Sequence, residues 1–269
     1  MAAPVQKGEE IEVGIDSLAY GGNGVGRVDG FVVFVRGGLP GDRVRARVTK
    51  VKRGFAEAAA ETVLDPSGLR VEAPCRHFGS GKCGGCRFQD LAYESQIAAK
   101  EQQVRDALTR IGRIEEPPLD RIVPAASLYG YRNKLEYSFS SGEDGVELGF
   151  HRAGRWDAII DIEECLLTTD LGNAIRLAVR DWAREEKLEP YDQATGEGYL
   201  RHLVYREGRN TGQVLVVLVT APGERFETGY LVDVLRRFPE VRSIHWAIND
   251  TPAERTNVPT RLLWGEEAI

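Results

Sequence analysis

Three cysteines within twelve residues constrain this chain more than any other feature. They stand in Cys75-Arg-His-Phe-Gly-Ser-Gly-Lys-Cys83-Gly-Gly-Cys86, followed by Arg87-Phe88-Gln89-Asp90. Gly79, Gly81, Gly84 and Gly85 let the backbone approach closely, so thiolates separated by seven and then two residues can turn around one centre. The fourth cysteine, Cys165, follows after 78 intervening residues and must come back to the others. Four cysteines in a chain of 269 residues are too few for a disulfide scaffold, and metal binding is the better use for them. Zinc sites usually come as two short Cys/His pairs, whereas three plus a distant one suits an iron-sulfur cluster on four thiolates. A tetrahedral zinc site stays open, and His77, inside the loop, is a ligand, a group behind the ligands or simply solvated.

The length suffices for one large or two modest domains, each with its own core. Hydrophobic residues make up 42%, charged residues 28%, and the net charge is -6, which describes an ordinary soluble protein. No apolar run approaches the ~20 residues of a membrane span, and the start, Met1-Ala-Ala-Pro-Val-Gln-Lys-Gly-Glu-Glu10, lacks the apolar centre of a secretion signal. The expected location is cytoplasmic, with no membrane partner. Oligomeric state is not legible.

Residues 9 to 64 read as a small all-β unit. Glu10-Ile-Glu-Val-Gly-Ile15 alternates polar and apolar, Gly21-Gly-Asn-Gly-Val-Gly26 turns the chain, and Gly30-Phe-Val-Val-Phe-Val35 is a β-branched and aromatic strand. Gly37-Gly-Leu-Pro-Gly-Asp42 closes it, and two strands follow at about 43 to 51 and 54 to 64. Five short strands at this spacing predict a barrel of the oligonucleotide-binding type. The Gly21 to Gly26 segment is not followed by a helix that would present its N-terminus to a phosphate, so it reads as a hairpin loop rather than a dinucleotide fingerprint.

Residues 1 to 64 hold nine Lys/Arg against eight Asp/Glu, whereas the remainder holds 26 against 33. Arg43, Arg45, Arg47, Lys50, Lys52 and Arg53 crowd one strand and its turn. Alternate positions put Arg43, Arg45 and Arg47 on one face, as a phosphate-tracking surface requires, although a solvated strand face has the same pattern.

Ile15-Asp-Ser-Leu-Ala-Tyr-Gly-Gly-Asn-Gly-Val-Gly-Arg27, Phe31-Val-Val-Phe-Val35 and Leu39-Pro-Gly-Asp-Arg-Val44 together resemble a TRAM domain, an RNA-binding barrel. The cysteine loop resembles the iron-sulfur loop of the TRAM-containing RNA (uracil-5-)-methyltransferases. Tyr131-Arg-Asn-Lys-Leu-Glu-Tyr-Ser-Phe139, Leu148-Gly-Phe-His-Arg-Ala-Gly-Arg-Trp156, Asp161-Ile-Glu-Glu-Cys165 and Leu200-Arg-His-Leu203 are similar to that family's central domain. The resemblance implies that Cys75, Cys83, Cys86 and Cys165 ligate a 4Fe-4S cluster. It also implies RNA, ribosomal or transfer, as partner and S-adenosylmethionine as methyl donor.

The middle of the chain reads as α+β. A helix is expected over about 91 to 111, ended by Gly112 and by Pro117-Pro118. A hairpin is expected around Ser141-Gly-Glu-Asp-Gly145, a strand at Ile159 to Ile162, a helix over Leu171 to Glu186 and a hairpin of 200 to 207 with 212 to 220. A helix from Arg225 to Phe238 and a strand from Val241 to Asn249 complete it. Arg132, Lys134, Arg201 and His202 are the RNA candidates here, against a reading as surface salt bridges. Tyr131 and Phe139 either stack on bases or fill the core.

The expected fold is therefore a small OB-like barrel at 1–66, then an α+β central domain with a four-cysteine metal site at 67–262. Residues 263–269 read as the start of a methyltransferase domain, on which helix 91–111 would pack. The family's attacking cysteine, carboxylate base and Rossmann-like cofactor domain are not found, so no catalytic or cofactor-binding residue is assigned. The chain is expected to lack its catalytic domain and to be inactive alone. Two alternatives are a stand-alone RNA-binding protein with a structural four-cysteine site and an iron-sulfur redox sensor that binds RNA.

Overall fold

The computed structural model describes residues 3–223 and 226–269; Arg225, the expected first residue of the third helix, lies outside the described residues. The chain divides into two compact units, one of residues 1–80 and 86–125, the other of residues 81–85 and 126–269.

The first unit is built on a closed five-stranded barrel: β1 (Glu10–Leu18), β2 (Gly24–Val28), β3 (Phe31–Arg36), β4 (Arg43–Val51) and β5 (Phe55–Asp65), in the order β1-β2-β3-β5-β4. Period-two alternation builds it, since Ile11, Val13 and Ile15 of β1 and Val44, Ala46 and Val48 of β4 all point inward to one core. Asp29-Gly30, both at positive φ, make the two-residue turn between β2 and β3. Gly26 sits where β1 crosses closely: a Cβ there would lie 2.3 Å from the Gly14 carbonyl oxygen.

Beyond the barrel, Leu91 joins Leu18 and Leu39 in a second small core. The helix α1 (Tyr93–Asp106) follows and runs into a π-helical turn, Ala107–Ile111, closed by the Gly112 amide on the Ala107 carbonyl at 2.9 Å. It starts two residues later than the sequence pattern predicts because Leu91 is bridged to Arg70 and turned back on Phe88. No residue of α1 is fully buried, and Val104 and Ile111 are exposed.

The second unit is one seven-stranded sheet. Its strands are β6 (Lys134–Gly142), β7 (Gly145–His151), β8 (Ile159–Asp161), β9 (Leu200–Gly208), β10 (Gln213–Thr220), β11 (Val241–Ile248) and β12 (Thr260–Gly265), in the order β12-β11-β10-β9-β6-β7-β8. All neighbours are antiparallel except β10 and β11. A parallel pair needs a crossover, which α3 (Thr228–Leu235) supplies. The other helix, α2 (Asp170–Glu185), is capped by the Thr169 hydroxyl and buries Ile175, Val179, Trp182 and Ala183 along one stripe. Trp182 and Trp246 meet the Phe226 ring edge to face at 5.4 and 5.3 Å. Leu263, Trp264 and Gly265 lie within β12, with Trp264 paired to Ile244, so these residues extend this sheet.

Candidate metal centre and nucleic-acid interface

Within the second unit, residues 82 to 84 lie against 151 to 153: the Gly84 amide donates to the His151 carbonyl at 2.9 Å and the Ala153 amide to the Lys82 carbonyl at 2.7 Å. This bridge holds Cys83 opposite Arg152. A Cβ on Gly84 would come within 3.0 Å of the His151 oxygen, which explains a glycine beside the cysteine. Gly85 then brings its amide to 3.4 Å from the Cys83 sulfur.

Cys165 is buried and its backbone is clamped by one side chain. Its amide donates to Asn173 Oδ1 at 2.8 Å, and Asn173 Nδ2 donates to its carbonyl at 3.2 Å. A cavity of about 480 Å³ opens at Cys165, lined also by Tyr129, Glu164 and Thr168. Burial, and next the charge of Cys165, drives the Tyr137 hydroxyl's pKa upward. The Tyr137 hydroxyl and Thr168 Oγ1 are buried with no hydrogen-bond partner among the described residues. Hydroxyls left without partners around Cys165 fit a site built for an acceptor-rich group, because buried donors are costly unless something accepts from them.

In the first unit, the Cys75 carbonyl accepts from the Phe78 amide at 3.0 Å, and the Cys86 sulfur accepts from Gln89 Nε2 at 3.0 Å. Among the described residues no group of three or more His, Cys, Asp or Glu gathers closely enough for a single metal ion.

The basic strand is not a bare cationic surface. Arg43 bonds Glu12 at 2.6 Å and Asp65 at 3.2 Å, and Arg45 lies between Glu10 at 3.4 Å and Glu12 at 3.3 Å. Arg47 bonds Glu61 at 2.6 Å and reaches Glu10 at 3.4 Å, and Lys50 faces Glu57 at 3.6 Å. The hydrogen bonds from Arg43 and Arg45 hold the Glu12 carboxyl below its ordinary range. Lys52 and Arg53, in the β4–β5 turn, are exposed and form no ion pair among the described residues.

The central candidates separate in the same way. Arg132 is half-buried and its amide donates to the Leu167 carbonyl, while Lys134 pairs with Glu136 at 2.6 Å. Arg201 is buried and donates to the carbonyls of Asn249 at 3.0 Å, Thr251 at 2.6 Å and Ala253 at 3.0 Å. His202 is buried with Nδ1 at 3.3 Å from the Ser138 hydroxyl, and burial, then the Arg201 charge, brings its pKa down to about 4. Neither side chain presents a cation to a phosphate. Phe139 is core, whereas Tyr131 is exposed.

Two exposed aromatics escaped the sequence reading. Tyr20 is 94% exposed on a loop that Gln103 holds through the Leu18 and Ala19 carbonyls at 3.0 and 3.1 Å. Trp156 is 67% exposed on the segment after β7. An aromatic at a glycine- or arginine-flanked loop tip was the available signal for both.

These features meet known proteins in two ways. Residues 4–60 match the TRAM domain. The chain is 37% identical over 272 residues to an uncharacterized RNA methyltransferase of Halalkalibacterium halodurans, a match covering 99% of this chain and 58% of the relative. An uncharacterized RNA methyltransferase of Caldanaerobacter subterraneus is 38% identical over 232 residues, covering 86% of this chain and 51% of the relative. Among solved structures, the Pyrococcus abyssi tRNA (uracil-54, C5)-methyltransferase in complex with S-adenosyl-L-homocysteine aligns with a TM-score of 0.70 and 28% identity. That alignment covers 96% of this chain and 56% of the solved one. The chain thus spans a little over half the length of the relatives it matches.

The likenesses correct two expectations. That the Rossmann-like methyltransferase domain is missing and the chain inactive alone does not stand. The likeness to RNA methyltransferases takes in 99% of the chain and that to the solved enzyme 96%, whereas the expectation rests on the family's attacking cysteine, carboxylate base and cofactor domain not being found in the sequence. The stand-alone RNA-binding protein and the redox sensor also fall, since these relatives and the solved structure carry the name of methyltransferases. Among the described residues no helix is long and apolar enough to cross a membrane.

Proposed function

We propose that the protein methylates carbon 5 of a uridine in ribosomal or transfer RNA, with S-adenosylmethionine as the methyl donor. The observation that carries this reading is the likeness to the Pyrococcus abyssi enzyme across 96% of the chain. S-Adenosylhomocysteine, bound in that enzyme, is what the donor becomes once its methyl has left. The donor supplies an electrophilic methyl on a sulfonium, and no residue of this chain is assigned to the transfer step.

In this reading the described residues grip RNA. Lys52, Arg53, Arg132 and Tyr131 meet it directly, through phosphate contacts and stacking. Arg43, Arg45, Arg47, Lys50 and Lys134 do so by exchanging carboxylate partners for phosphates. Arg201 and His202 shape the protein instead.

The reading extends to a 4Fe-4S cluster held by Cys75, Cys83, Cys86 and Cys165. Its support is the C-x7-C-x2-C spacing, the glycine-shaped bridge that fixes Cys83, the Asn173 clamp on Cys165 and the orphaned donors beside it. Methyl transfer needs no electron, so the cluster acts as a cross-link.

The test uses ribosomal and transfer RNA transcripts with tritium at carbon 5 of uridine. Donor-dependent release of tritium to water, with 5-methyluridine in the digested RNA, is the expected result; no release from either RNA overturns the reading. Anaerobically purified protein should carry iron and sulfide in equal amounts, and stoichiometric zinc in their place overturns the cluster.

A further inference from the structure

The sheet of the second unit has one face covered by α2 and a second face that opens into a cavity of about 410 Å³. Register assembles its floor. Ser138 of β6 lies opposite His202 of β9, and His151 of β7 opposite Ile159 of β8, so residues from four neighbouring strands share one face. Trp156 stands at the cavity with its ring two-thirds exposed, and Tyr191, Asp192 and Glu254 come from loops above the sheet. A volume of this size takes a nucleoside.

The charge of the cavity decides which part of a nucleotide it suits. Three carboxylates line it, those of Asp157, Asp192 and Glu254, with Arg201 the lone arginine in the lining and no lysine. The Arg201 guanidinium is turned to the Asn249, Thr251 and Ala253 carbonyls and lies 4.2 Å from the centre of the Tyr191 ring, so its donors are spent on the protein. A phosphate needs cationic donors and meets carboxylates instead. A neutral heterocycle rich in N–H donors meets what it needs.

Asp157 is already held through both oxygens by Arg155, at 2.7 and 2.6 Å. Asp192 spends Oδ1 on the amides of Ala194 and Thr195, and Glu254 touches His151 Nε2 at 3.3 Å through Oε2. His151 Nδ1 and His202 Nε2 are buried with no partner among the described residues, which marks a polar site rather than a packing gap. We infer that this cavity binds an unstacked RNA base other than the methylated uridine, a guanine, whose N1–H and N2–H donate to the carboxylate of Glu254 or Asp192 while Trp156 stacks on its face. Adenine and cytosine each set a lone-pair nitrogen beside their amine, which a carboxylate repels, and uracil offers one donor. Single-stranded RNA is read in this manner, by aromatic stacking and by bonds to the base edge. The choice of a base as ligand rests on the RNA-methylation reading above.

The test is a titration of the purified protein with guanosine, inosine, adenosine, cytidine and uridine, followed by the fluorescence change that Trp156→Phe alters. A hairpin RNA with one loop guanosine, or inosine in its place, is then titrated in parallel. Guanosine should saturate the signal and inosine, lacking the N2 amine, should bind about tenfold more weakly. Glu254→Gln and Asp192→Asn together should abolish that ratio while the thermal melt stays unchanged. Uridine or adenosine binding as tightly as guanosine overturns the inference, and so does a guanosine-to-inosine ratio that survives both substitutions. A hairpin bound equally with either base defeats the cavity but leaves the RNA reading standing. A hairpin that never binds, beside a saturating guanosine titration, defeats the RNA reading and leaves the cavity.

Discussion

Arg70 grips both carboxylate oxygens of Asp42, Nε to Oδ1 at 2.9 Å and Nη2 to Oδ2 at 2.6 Å, inside the first unit. Asp42 has no exposed side-chain surface and also accepts from the Leu39 amide at 2.7 Å and the Ser67 amide at 2.8 Å. Burial alone would raise its pKa; the Arg70 bonds, then the Ser67 and Leu39 amides, outweigh it and hold the carboxyl below 3.8. Asp42→Ala leaves two amides without an acceptor and takes two bonds from the guanidinium, which keeps Asp90 and the Gly37 carbonyl; it should cost about 1–3 kcal/mol, read from urea unfolding. The sign for pH follows from the depressed pKa: this contribution is full above the ordinary carboxylate value and is lost as pH falls through the lower folded one. The variant's stability should therefore be flatter than the wild type's in acid.

The barrel was legible because strand alternation is a property of a few adjacent residues. Ile11, Val13, Ile15 and Val44, Ala46, Val48 announce an inner face before any pairing is known. What neutralises Arg43, Arg45 and Arg47 was not legible, because Glu10 and Glu12 of β1 and Glu61 of β5 meet β4 only through the register of the closed sheet. The same holds for Arg201: alternation tells which face it shares, but its carbonyl partners lie some fifty residues on, in the loop after β11. The metal reading of the cysteine loop comes from cysteine spacing and glycine content alone. The Asn173 clamp on Cys165 was hidden, since an asparagine on a helix has no signature of what it holds.

If Cys165 holds the proposed cluster, that clamp predicts a defect specific to it. Asn173 bonds the amide and the carbonyl of Cys165 and so sets the direction of the thiol. Removing a group that orients a ligand costs typically 10–100-fold in metal affinity. Asn173→Ala should retain clearly less iron and sulfide than wild type when both are challenged with a chelator anaerobically. Equal retention would mean that Cys165 needs no orientation or holds no metal.

The ion-pair ladder on β4 makes a counter-intuitive prediction for RNA. Since Glu10, Glu12 and Glu61 already neutralise Arg43, Arg45 and Arg47, truncating one arginine removes little net attraction, and exposed pairs of this kind are worth roughly 0–1 kcal/mol. Neutralising the carboxylates instead should strengthen binding. Glu10→Gln with Glu12→Gln should steepen the dependence of RNA affinity on salt, whereas Lys52→Ala or Arg53→Ala should reduce the slope by about 0.7 each. Filter-binding titrations across salt concentration decide it; an unchanged slope in all four substitutions would remove this strand from the RNA surface.

His202 gives the second unit its own acid sensitivity. Its folded pKa, brought down to about 4 by burial and then by Arg201, lies below the ordinary 6.5. Between these values the unfolded chain holds a proton on His202 that the folded chain does not. Stability therefore rises with pH across that window, at up to about 1.4 kcal/mol per pH unit. Below about 4 this contribution is exhausted, because both states then carry the proton. His202→Gln retains a polar partner for the Ser138 hydroxyl but cannot titrate. Its unfolding free energy should vary less between pH 4.0 and 6.5 than that of the wild type, and identical profiles would show that His202 is protonated in the folded protein.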